Sequence, residues 1–562
     1  MSKIYIFILS LILILSSIIL TDINKYEIDL TTEKRNSISE ETIKILENLE
    51  DKIYIKIYLD GDLPSEFIRL QKHCIQLIEK FNSYSKFEIE YQLINPSESE
   101  NKKQREEYYR QIFESGVHPI WVKSTTKSGN NTQFCFPGAI ISFQEKEVAL
   151  QIFTNVYFND TTKATHYEIQ HSINQLEYNL IKSIVDISES KNNIAFIHGN
   201  GELDTNYTKS INNTLSELYT VHQFDLSKYE IDTNTGDLNI QNQINRINKF
   251  DAIIIAKATE KFQNLDKFVL DQYLINGGRI LYLLDGTNAS IDNFNGKYYF
   301  PIESNSLNLD DLFAHYGFKI NNNLIQDKNC RKIPLQSNSG VKYFNWPYHL
   351  FISNNNQHII TKGIDTLISE FTSSISIDDK SKCTVLLSST SNSNVIYSGA
   401  VVELQLAKNG INKNQMQNKK YPISVLVEGS FESFYKNHNL FDSLKLKKST
   451  DNAKMIIVSD GDIIKNNINP PNFYYELGYD PYHKKVYTAN SNFILNSIQY
   501  LCGDENLIKI RNKTKEELRI INPEKTKGKT LLIKVSNTVF PLFILFLIYF
   551  TFTYIRKQKY AK

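Results

Sequence analysis

The sequence predicts an α/β protein of two modules with largely parallel, doubly wound sheets, flanked by a transmembrane helix at each end. Three observations lead to this fold class. Short apolar runs typical of buried strands alternate with amphipathic helical patterns along the chain. Each terminus carries a long apolar stretch without charge. The chain has 562 residues, 41% of them hydrophobic and 22% charged, so it is long and apolar enough for several folded domains.

The two termini carry the predicted membrane helices. Residues 4–21 form an uncharged segment of 18 residues rich in Ile and Leu, a length between a signal-peptide core and a spanning helix. No cleavage site of small residues follows it, so we expect an uncleaved anchor rather than a signal peptide. Residues 535–555 form a second uncharged segment of 21 residues, which as a helix would cross about 30 Å of hydrocarbon.

The charges around the first segment predict the orientation. Lys3 and the α-amino group precede it, whereas Asp22, Glu27 and Asp29 follow it. Because positive charge favours the cytoplasmic side, we expect both termini in the cytoplasm, including the tail over residues 556–562. The predicted location is therefore the inner membrane, crossed twice, with the large domain outside the cytoplasm.

An N-terminal α/β domain is predicted over residues 22–165. A capping box at Ser37–Glu40 begins an amphipathic helix, and a second helix has its apolar face over residues 67–81. Apolar or alternating runs predict strands over residues 53–59, 87–93, 139–143 and 148–153. The last two runs are expected to pair and close the domain.

A second, larger α/β domain is predicted over residues 166–510. It begins with a long amphipathic helix over residues 169–187, and strands and helices then alternate at the rhythm of a parallel, doubly wound sheet. Strands are predicted over residues 193–198, 221–226, 251–256, 279–284, 423–427 and 454–458. Residues 290–420 are rich in Asn and Ser, and we expect an irregular insertion with long loops. Residues 511–534 are a predicted juxtamembrane linker.

Composition and motifs exclude several classes of function. The net charge is +1, so no nucleic-acid partner is expected. The five cysteines are an odd number without C-x-x-C spacing, which argues against a disulfide scaffold and a zinc site, and we predict no metal.

No complete catalytic or nucleotide-binding motif is found. Gly528–Thr530 resembles the end of a phosphate loop but lacks the earlier glycine, since residue 523 is Pro; no cofactor is predicted. No hydrolase motif is present, so no catalytic residue is predicted. Trp121 and Trp346 are expected in the core rather than on a sugar-stacking surface.

Four acidic residues directly after predicted strands are the candidate ligand-binding residues. In open parallel sheets, ligands bind at the carboxyl ends of the strands, where carboxylates can bind a cation or sugar hydroxyls. The same residue types also cap helices and close turns, so a purely structural role stays open. The four residues are Glu202, Asp285, Asp460 and Asp462.

Several short segments carry a resemblance to a known family. They are residues 26–39, 58–64, 173–178, 198–202, 271–273, 277–279, 458–466, 478–480 and 490–496. In this order, and with an apolar segment at each terminus, they resemble the gliding-motility-associated GldG family, the auxiliary and so-called substrate-binding component of an ABC transporter. The resemblance spans most of the chain and is weakest over residues 290–420.

The resemblance implies a membrane subunit that works with an ABC permease and an ABC ATPase, in gliding or in an export process tied to it. It also implies a fold akin to a domain of intraflagellar-transport proteins, itself similar to glutamine-amidotransferase-like folds. There a nucleophile would follow a central strand, but residues 256–258 are Ala-Lys-Ala. We therefore expect a non-enzymatic periplasmic subunit, with ATP bound only by a partner. The alternatives are an envelope carbohydrate-binding protein or hydrolase, and a structural scaffold without a ligand.

Overall fold

The structure is a computed structural model, and it describes residues 37–126, 129–154, 166–231, 233, 236–337, 340–353, 358–411, 418–437, 444, 446–469, 473–513 and 523–560. The chain divides into two units, the first of which ends at Lys513. The predicted anchor over residues 4–21 and the predicted domain boundary at residue 165 lie outside the described residues. Residues 514–522 of the predicted linker lie outside them as well.

The N-terminal part of the first unit is built on a four-stranded sheet. Its elements in chain order are α1 (Glu40–Glu47), β1 (Ile53–Ile57), α2 (Ser65–Asn82), β2 (Ile89–Leu93), α3 (Lys102–Glu114), β3 (Ile120–Thr126), β4 (Gly129–Cys135), β5 (Gly138–Phe143) and β6 (Lys146–Gln151). The strand order is β2-β1-β5-β6, while β3 and β4 form a separate two-stranded sheet. The cap of α1 is Ser39, whose side chain accepts a hydrogen bond from the Thr42 amide. The residue that caps the helix is thus Ser39, two residues later than Ser37, with which the predicted capping box begins.

The prediction of a largely parallel sheet is wrong for this N-terminal module. Only β1 and β2 are parallel, whereas β5 is antiparallel to both β1 and β6. For β5 and β6 the physical reason is the connection between them, which consists of Gln144 and Glu145 alone. A two-residue turn can join only antiparallel strands, and Gln144 has the positive φ of 52° that such turns use.

The larger part of the first unit begins with alternating helices and strands. These are α4 (His166–Ser188), β7 (Asn193–His198), α5 (Lys209–Ser216), β8 (Thr220–Asp225), α6 (Ile240–Ile247), β9 (Ala252–Ala256), α7 (Asn264–Ile275) and β10 (Arg279–Leu283). Helix α7 ends before Gly277, whose φ of +109° suits a residue without a side chain. Each strand runs parallel to its neighbours in the sheet.

The predicted insertion is rich in strands rather than in long loops. Its elements are β11 (Tyr299–Pro301), α8 (Asp310–His315), β12 (Phe318–Ile320), β13 (Asn323–Asp327), β14 (Cys330–Ser337), β15 (Gly340–Ile352), β16 (Leu367–Glu370), β17 (Ile375–Ile377), β18 (Cys383–Ser388), β19 (Ser393–Tyr397), β20 (Val401–Glu403) and α9 (Gln405–Asn409). Four of the ten strands have three residues, which is too short for an alternating pattern to be recognised.

The remaining elements of the first unit complete its main sheet. They are β21 (Pro422–Glu432), β22 (Ser449–Val458), β23 (Ile468–Asn469), β24 (Phe473–Tyr474), β25 (Tyr479–Asp480), β26 (Lys485–Val486), α10 (Ala489–Cys502) and α11 (Glu505–Lys513). The main sheet has seven strands in the order β18-β21-β22-β10-β9-β7-β8. Strands β8, β7, β9, β10 and β22 are mutually parallel, and β21 is antiparallel to both of its neighbours.

Hydrophobic cores cover both faces of this main sheet. The side chains of β9 are all buried and point alternately to the two faces. Ile254 belongs to a core that includes Phe493 of α10, whereas Ile253 and Ile255 belong to a core that includes Phe268 of α7. The sheet therefore has helices on both faces, as a doubly wound fold requires.

The second unit contains the helix α12 (Pro523–Tyr560). Among the described residues it is the helix long and apolar enough to cross a membrane, over the 21 residues Thr538–Gln558, with a mean hydropathy of 2.0. The predicted span over residues 535–555 overlaps this stretch. Residues 523–534, predicted as linker, belong to the same helix.

Candidate functional site

The four predicted acidic residues lie at the carboxyl ends of parallel strands, as predicted. Glu202 follows β7, Asp285 follows β10, and Asp460 and Asp462 follow β22. Strands β10 and β22 are neighbours, so the loops after them lie side by side. Three of the four side chains are brought together here, and their role as ligands stays a prediction.

Lys257, the residue after β9, connects these loops. Its Nζ atom lies 3.5 Å from Asp285 Oδ2 and also pairs with Asp462. Its backbone has a φ of +56°, a left-handed conformation that costs a non-glycine residue about 1–3 kcal/mol. A Cβ atom added to Gly461 would lie 2.6 Å from Lys257 Cγ, so the loop after β22 passes directly against this lysine. The ion pairs and this close contact hold the ends of three strands together.

Asp460 ties the same loop to the insertion. It is completely buried, and its Oδ2 accepts hydrogen bonds from the Glu370 amide at 3.0 Å and from Thr372 Oγ1 at 3.2 Å. Its Oδ1 accepts from the Asp462 amide at 2.8 Å. Both carboxylate oxygens are therefore engaged by the protein itself, and Asp460 acts as a bridge between β22 and β16.

Burial shifts the protonation equilibria of this cluster. It raises the pKa of Asp285 to about 6, although the nearby Lys257 ammonium acts in the opposite direction. Burial and the neighbouring carboxylates of Asp285 and Asp462 raise the pKa of Asp460 well above its usual range. For Lys257, burial lowers the pKa, but the same two carboxylates outweigh this effect and the net shift is upward. Lys257 is thus held as an ammonium group.

A second charge cluster joins the first through Glu370. Arg331, 1% exposed, pairs with Glu370, and its Nη1 lies 3.8 Å from Asp480 Oδ2. Its Nη2 lies 3.3 Å from His349 Nδ1. Because a guanidinium group can only donate, Nδ1 is the acceptor and the ring proton resides on Nε2, 3.8 Å from Glu370 Oε2. Burial lowers the pKa of His349 to about 4, so this ring is neutral at pH 7.

Glu370 is the most accessible carboxylate of the two clusters. About a third of its side chain is exposed, compared with 13% for Asp462 and 10% for Asp285. Burial acts to raise the pKa of Glu370, but Arg331 and His349, which is protonated at the low pH where Glu370 titrates, overcome this effect and lower the pKa to about 2. Glu370 is therefore a charged carboxylate at pH 7, and part of its side chain is in contact with solvent.

Glu202 remains apart from both clusters. Its Oε2 accepts a hydrogen bond from the Asn200 amide at 2.8 Å, within the turn that follows β7. Its Oε1 is buried without a hydrogen-bond partner in the described part of the chain, and burial raises the pKa of this carboxyl. The arrangement matches the turn-closing role that the sequence analysis left open.

The sequence analysis missed Lys257, Arg331 and His349. Lys257 could have been selected from the sequence, because it directly follows a buried apolar strand. Asp285 was selected for a similar position, two residues after the end of β10. No sequence pattern indicates Arg331 or His349. Their partners, Glu370 and Asp480, are distant in sequence and contact them only in the folded protein. Within the described residues, no group of three or more His, Cys, Asp or Glu side chains is arranged to hold a metal ion.

The two tryptophans differ in environment. Trp346 is fully buried against Tyr348 and Phe294, as expected. Trp121 is 55% exposed and packs edge-on against Phe134, so the expectation of a core position is wrong for it. The reason is its place on the two-stranded sheet of β3 and β4, which stands apart from the four-stranded sheet.

Comparison with protein families places this site within a known group. Residues 191–497 match the model of the family described as ABC-type uncharacterized transport system, which is more than half of the chain. The chain belongs to this family. The matched part contains all seven strands of the main sheet, both charge clusters and all four predicted acidic residues. Residues 32–142 match a second family, described as a domain of unknown function (DUF7088).

Individual relatives are distant. An uncharacterized protein of Borreliella burgdorferi is 23% identical over 463 residues, and the match covers 80% of each chain. A solved structure of an IFT52 N-terminal domain is 17% identical, with a TM-score of 0.31, over 55% of this chain and 96% of that domain. Membership of the transport-system family thus comes from the family model.

Proposed function

We propose that this chain is a membrane-anchored, extracytoplasmic auxiliary subunit of an ABC transport system and has no catalytic activity of its own. The observation that carries this proposal is the family match over residues 191–497. Following the GldG resemblance, we further propose that the system is of the kind linked to bacterial gliding motility. Its partners would be an ABC permease and an ABC ATPase, and ATP would bind to the ATPase alone.

The helix α12 supports the membrane anchor. The stretch Thr538–Gln558 has the length and hydropathy of a span, and none of its most apolar window is buried within the protein. An apolar helix surface of this size requires cover by lipid or by another protein. Together with the predicted anchor over residues 4–21, it would hold the large domain beside its transporter. Tethering raises the effective concentration of a docking surface, so weak contacts suffice.

The strand-end site supports binding or scaffolding rather than catalysis. At the position after β9 where the amidotransferase-like folds would carry a nucleophile, this chain has Lys257, held as an ammonium group by Asp285 and Asp462. A protonated amine cannot act as a nucleophile. The carboxylates around it are engaged in holding strand ends together, and Glu370 is left as their accessible neighbour.

Co-purification tests the proposed partners. The full chain with a C-terminal tag is extracted from native membranes in detergent, and the proteins that remain bound are identified by mass spectrometry. We expect an ABC ATPase and a multispan permease. A control in which residues 538–558 are replaced by an unrelated apolar span separates specific docking from membrane insertion. Recovery of neither partner, in detergent that keeps known membrane complexes intact, contradicts the proposal.

Protease protection tests the orientation. In intact spheroplasts an added protease should remove the large domain and leave the C-terminal tag protected, because we place the tag in the cytoplasm. Permeabilised spheroplasts serve as the control, since there the tag should be digested as well. A tag that is lost from intact spheroplasts contradicts the proposed two-pass topology.

A further inference from the structure

Two segments that the sequence analysis singled out, residues 26–39 and 173–178, meet in the structure. Glu177 lies on α4, and its Oε1 accepts hydrogen bonds from the Ser39 amide and from Ser39 Oγ, both at 2.7 Å. The same oxygen accepts a hydrogen bond from Thr42 Oγ1 at 2.8 Å. One carboxylate oxygen therefore holds the start of α1 at three points.

The other oxygen of Glu177 holds the end of the first unit. Glu177 Oε2 accepts from Nζ of Lys513, the last residue of α11, at 3.0 Å. The Lys513 ammonium also donates to the carbonyl oxygen of Ser37. Lys509, one turn earlier in α11, lies 3.8 Å from Glu41 of α1. The first described residue of the unit and its last residue are thus joined directly, although 476 positions separate them.

The surroundings make this contact stronger than an ordinary surface ion pair. The side chain of Glu177 is 12% exposed and that of Lys513 is 19% exposed, so both charges are largely screened from water. Helix α4 packs against both α1 and α11, and α1 packs against α11. Hydrogen bonds to charged groups in such places contribute more to stability than hydrogen bonds between neutral groups.

We propose that Ser39, Thr42, Glu177 and Lys513, the Glu177 clamp, couple α1 and α11, the first and the last described helices of this unit, into a single mechanical joint. A displacement of α1 or of α11 then moves α1, α4 and α11 together. Helix α4 ends at Ser188, five residues before the parallel strand β7, so such a displacement reaches the main sheet. The inference does not depend on the transport partners proposed above.

Hydrogen–deuterium exchange on the full chain in detergent tests the clamp. The variant Lys513→Ala should raise amide exchange in α1 by about tenfold, since the clamp contribution to local stability is lost there as well. The variant Ser39→Ala should raise exchange in α11. These effects appear in the helix that was not altered, which a purely local cap would not produce.

Matched variants complete the test. Glu177→Gln should loosen both helices at once. Glu217→Gln is the control, because Glu217 also pairs with a lysine of α4, Lys182, but is 55% exposed and lies outside the clamp. Coupling is reciprocal, so the double variant of Ser39 and Lys513 should raise exchange by less than the product of the single effects. Unchanged exchange of α1 in Lys513→Ala, or multiplicative effects in the double variant, overturns the inference even if Glu177→Gln fails to fold.

Discussion

Replacing Lys257 with Met should destabilise the protein strongly at pH 8. The change keeps an unbranched apolar stem but removes the ammonium group that pairs with Asp285 and Asp462. Removing one partner of a buried ion pair costs about 3–5 kcal/mol, because the other charge is left without compensation. The Lys257 side chain is 16% exposed, so some water reaches the site and the lower end of this range, about 3 kcal/mol, is expected.

The loss should become smaller at pH 5. A carboxyl group whose pKa is higher in the folded than in the unfolded protein favours folding at low pH and opposes it above its folded pKa. Asp285, with a pKa of about 6, is such a group, and Lys257 is what restrains its rise. Each further unit of increase adds about 1.4 kcal/mol of destabilisation at pH 8 that disappears once Asp285 is protonated in both proteins.

The measurement is the free energy of unfolding of the full chain in detergent, from urea titrations followed by tryptophan fluorescence at pH 5 and pH 8. The comparison of variant with wild type removes the opposing titration of His349, whose pKa of about 4 favours folding at higher pH. Lys436→Met is the matched control, since Lys436 pairs with Glu432 at the surface and 38% of its side chain is exposed. Its effect should stay within about 0.5 kcal/mol.

Two results would refute this reasoning. A Lys257→Met variant that unfolds at the same urea concentration as wild type would show that the strand-end carboxylates do not need this cation. A loss that is equal at pH 5 and pH 8 would show that Asp285 does not carry the raised pKa, and that the effect comes from packing instead.

Four further substitutions test other parts of the structure by the same urea titration. Gly461→Ala should cost about 1–3 kcal/mol, because the new Cβ would lie 2.6 Å from Lys257 Cγ, while its φ of −78° allows Ala; a neutral effect contradicts that close contact. Arg331→Met should cost about 3–5 kcal/mol, since it removes the buried cation that pairs with Glu370 and lies 3.8 Å from Asp480; a stabilised variant argues that the ion pair is replaceable. Trp346→Ala should cost about 3–5 kcal/mol and the exposed Trp121→Ala less than about 1 kcal/mol, and equal losses contradict the burial of Trp346.

The five parallel strands of the main sheet could be predicted from the sequence because their information is local, whereas β18 lies in the predicted insertion and the antiparallel direction of β21 was not predicted. Strands such as β9 are continuous apolar runs, and the helices between them have the length of crossover connections, which forces parallel pairing. The N-terminal sheet could not be predicted in the same way. Its strands were placed correctly, but the direction of β5 depends on its pairing with β1, about 85 residues earlier in the chain.

The candidate site could likewise be predicted only in part: residues selected by a local pattern were found, and residues that depend on distant contacts were not. The rule that ligands and charged residues collect at the carboxyl ends of parallel strands was sufficient to select Asp285, Asp460 and Asp462. The rule could not show that Glu202 lies apart from these three residues. It places a residue at one edge of the sheet but does not say how far apart two residues lie along that edge. The partners Arg331 and Glu370 come from the insertion, and they lie on different strands, 39 positions apart, so no local pattern indicates their contact.

The insertion also covers the edge of the main sheet at which the parallel strands end. In an open doubly wound sheet the crevice at the carboxyl ends is where a ligand enters. Here the chain itself occupies that crevice: the Ser373 amide donates to the Ser459 carbonyl at 2.9 Å, Ser373 Oγ accepts from the Gly286 amide at 3.1 Å, and Asp460 accepts from the Glu370 amide. A partner or ligand that approaches this edge therefore meets the insertion first. Glu370, charged and a third exposed, is the most accessible carboxylate of the buried network. Because the acidic residues beneath it already hold the strand ends and the insertion together, the insertion covers the edge at which an open doubly wound sheet takes a ligand.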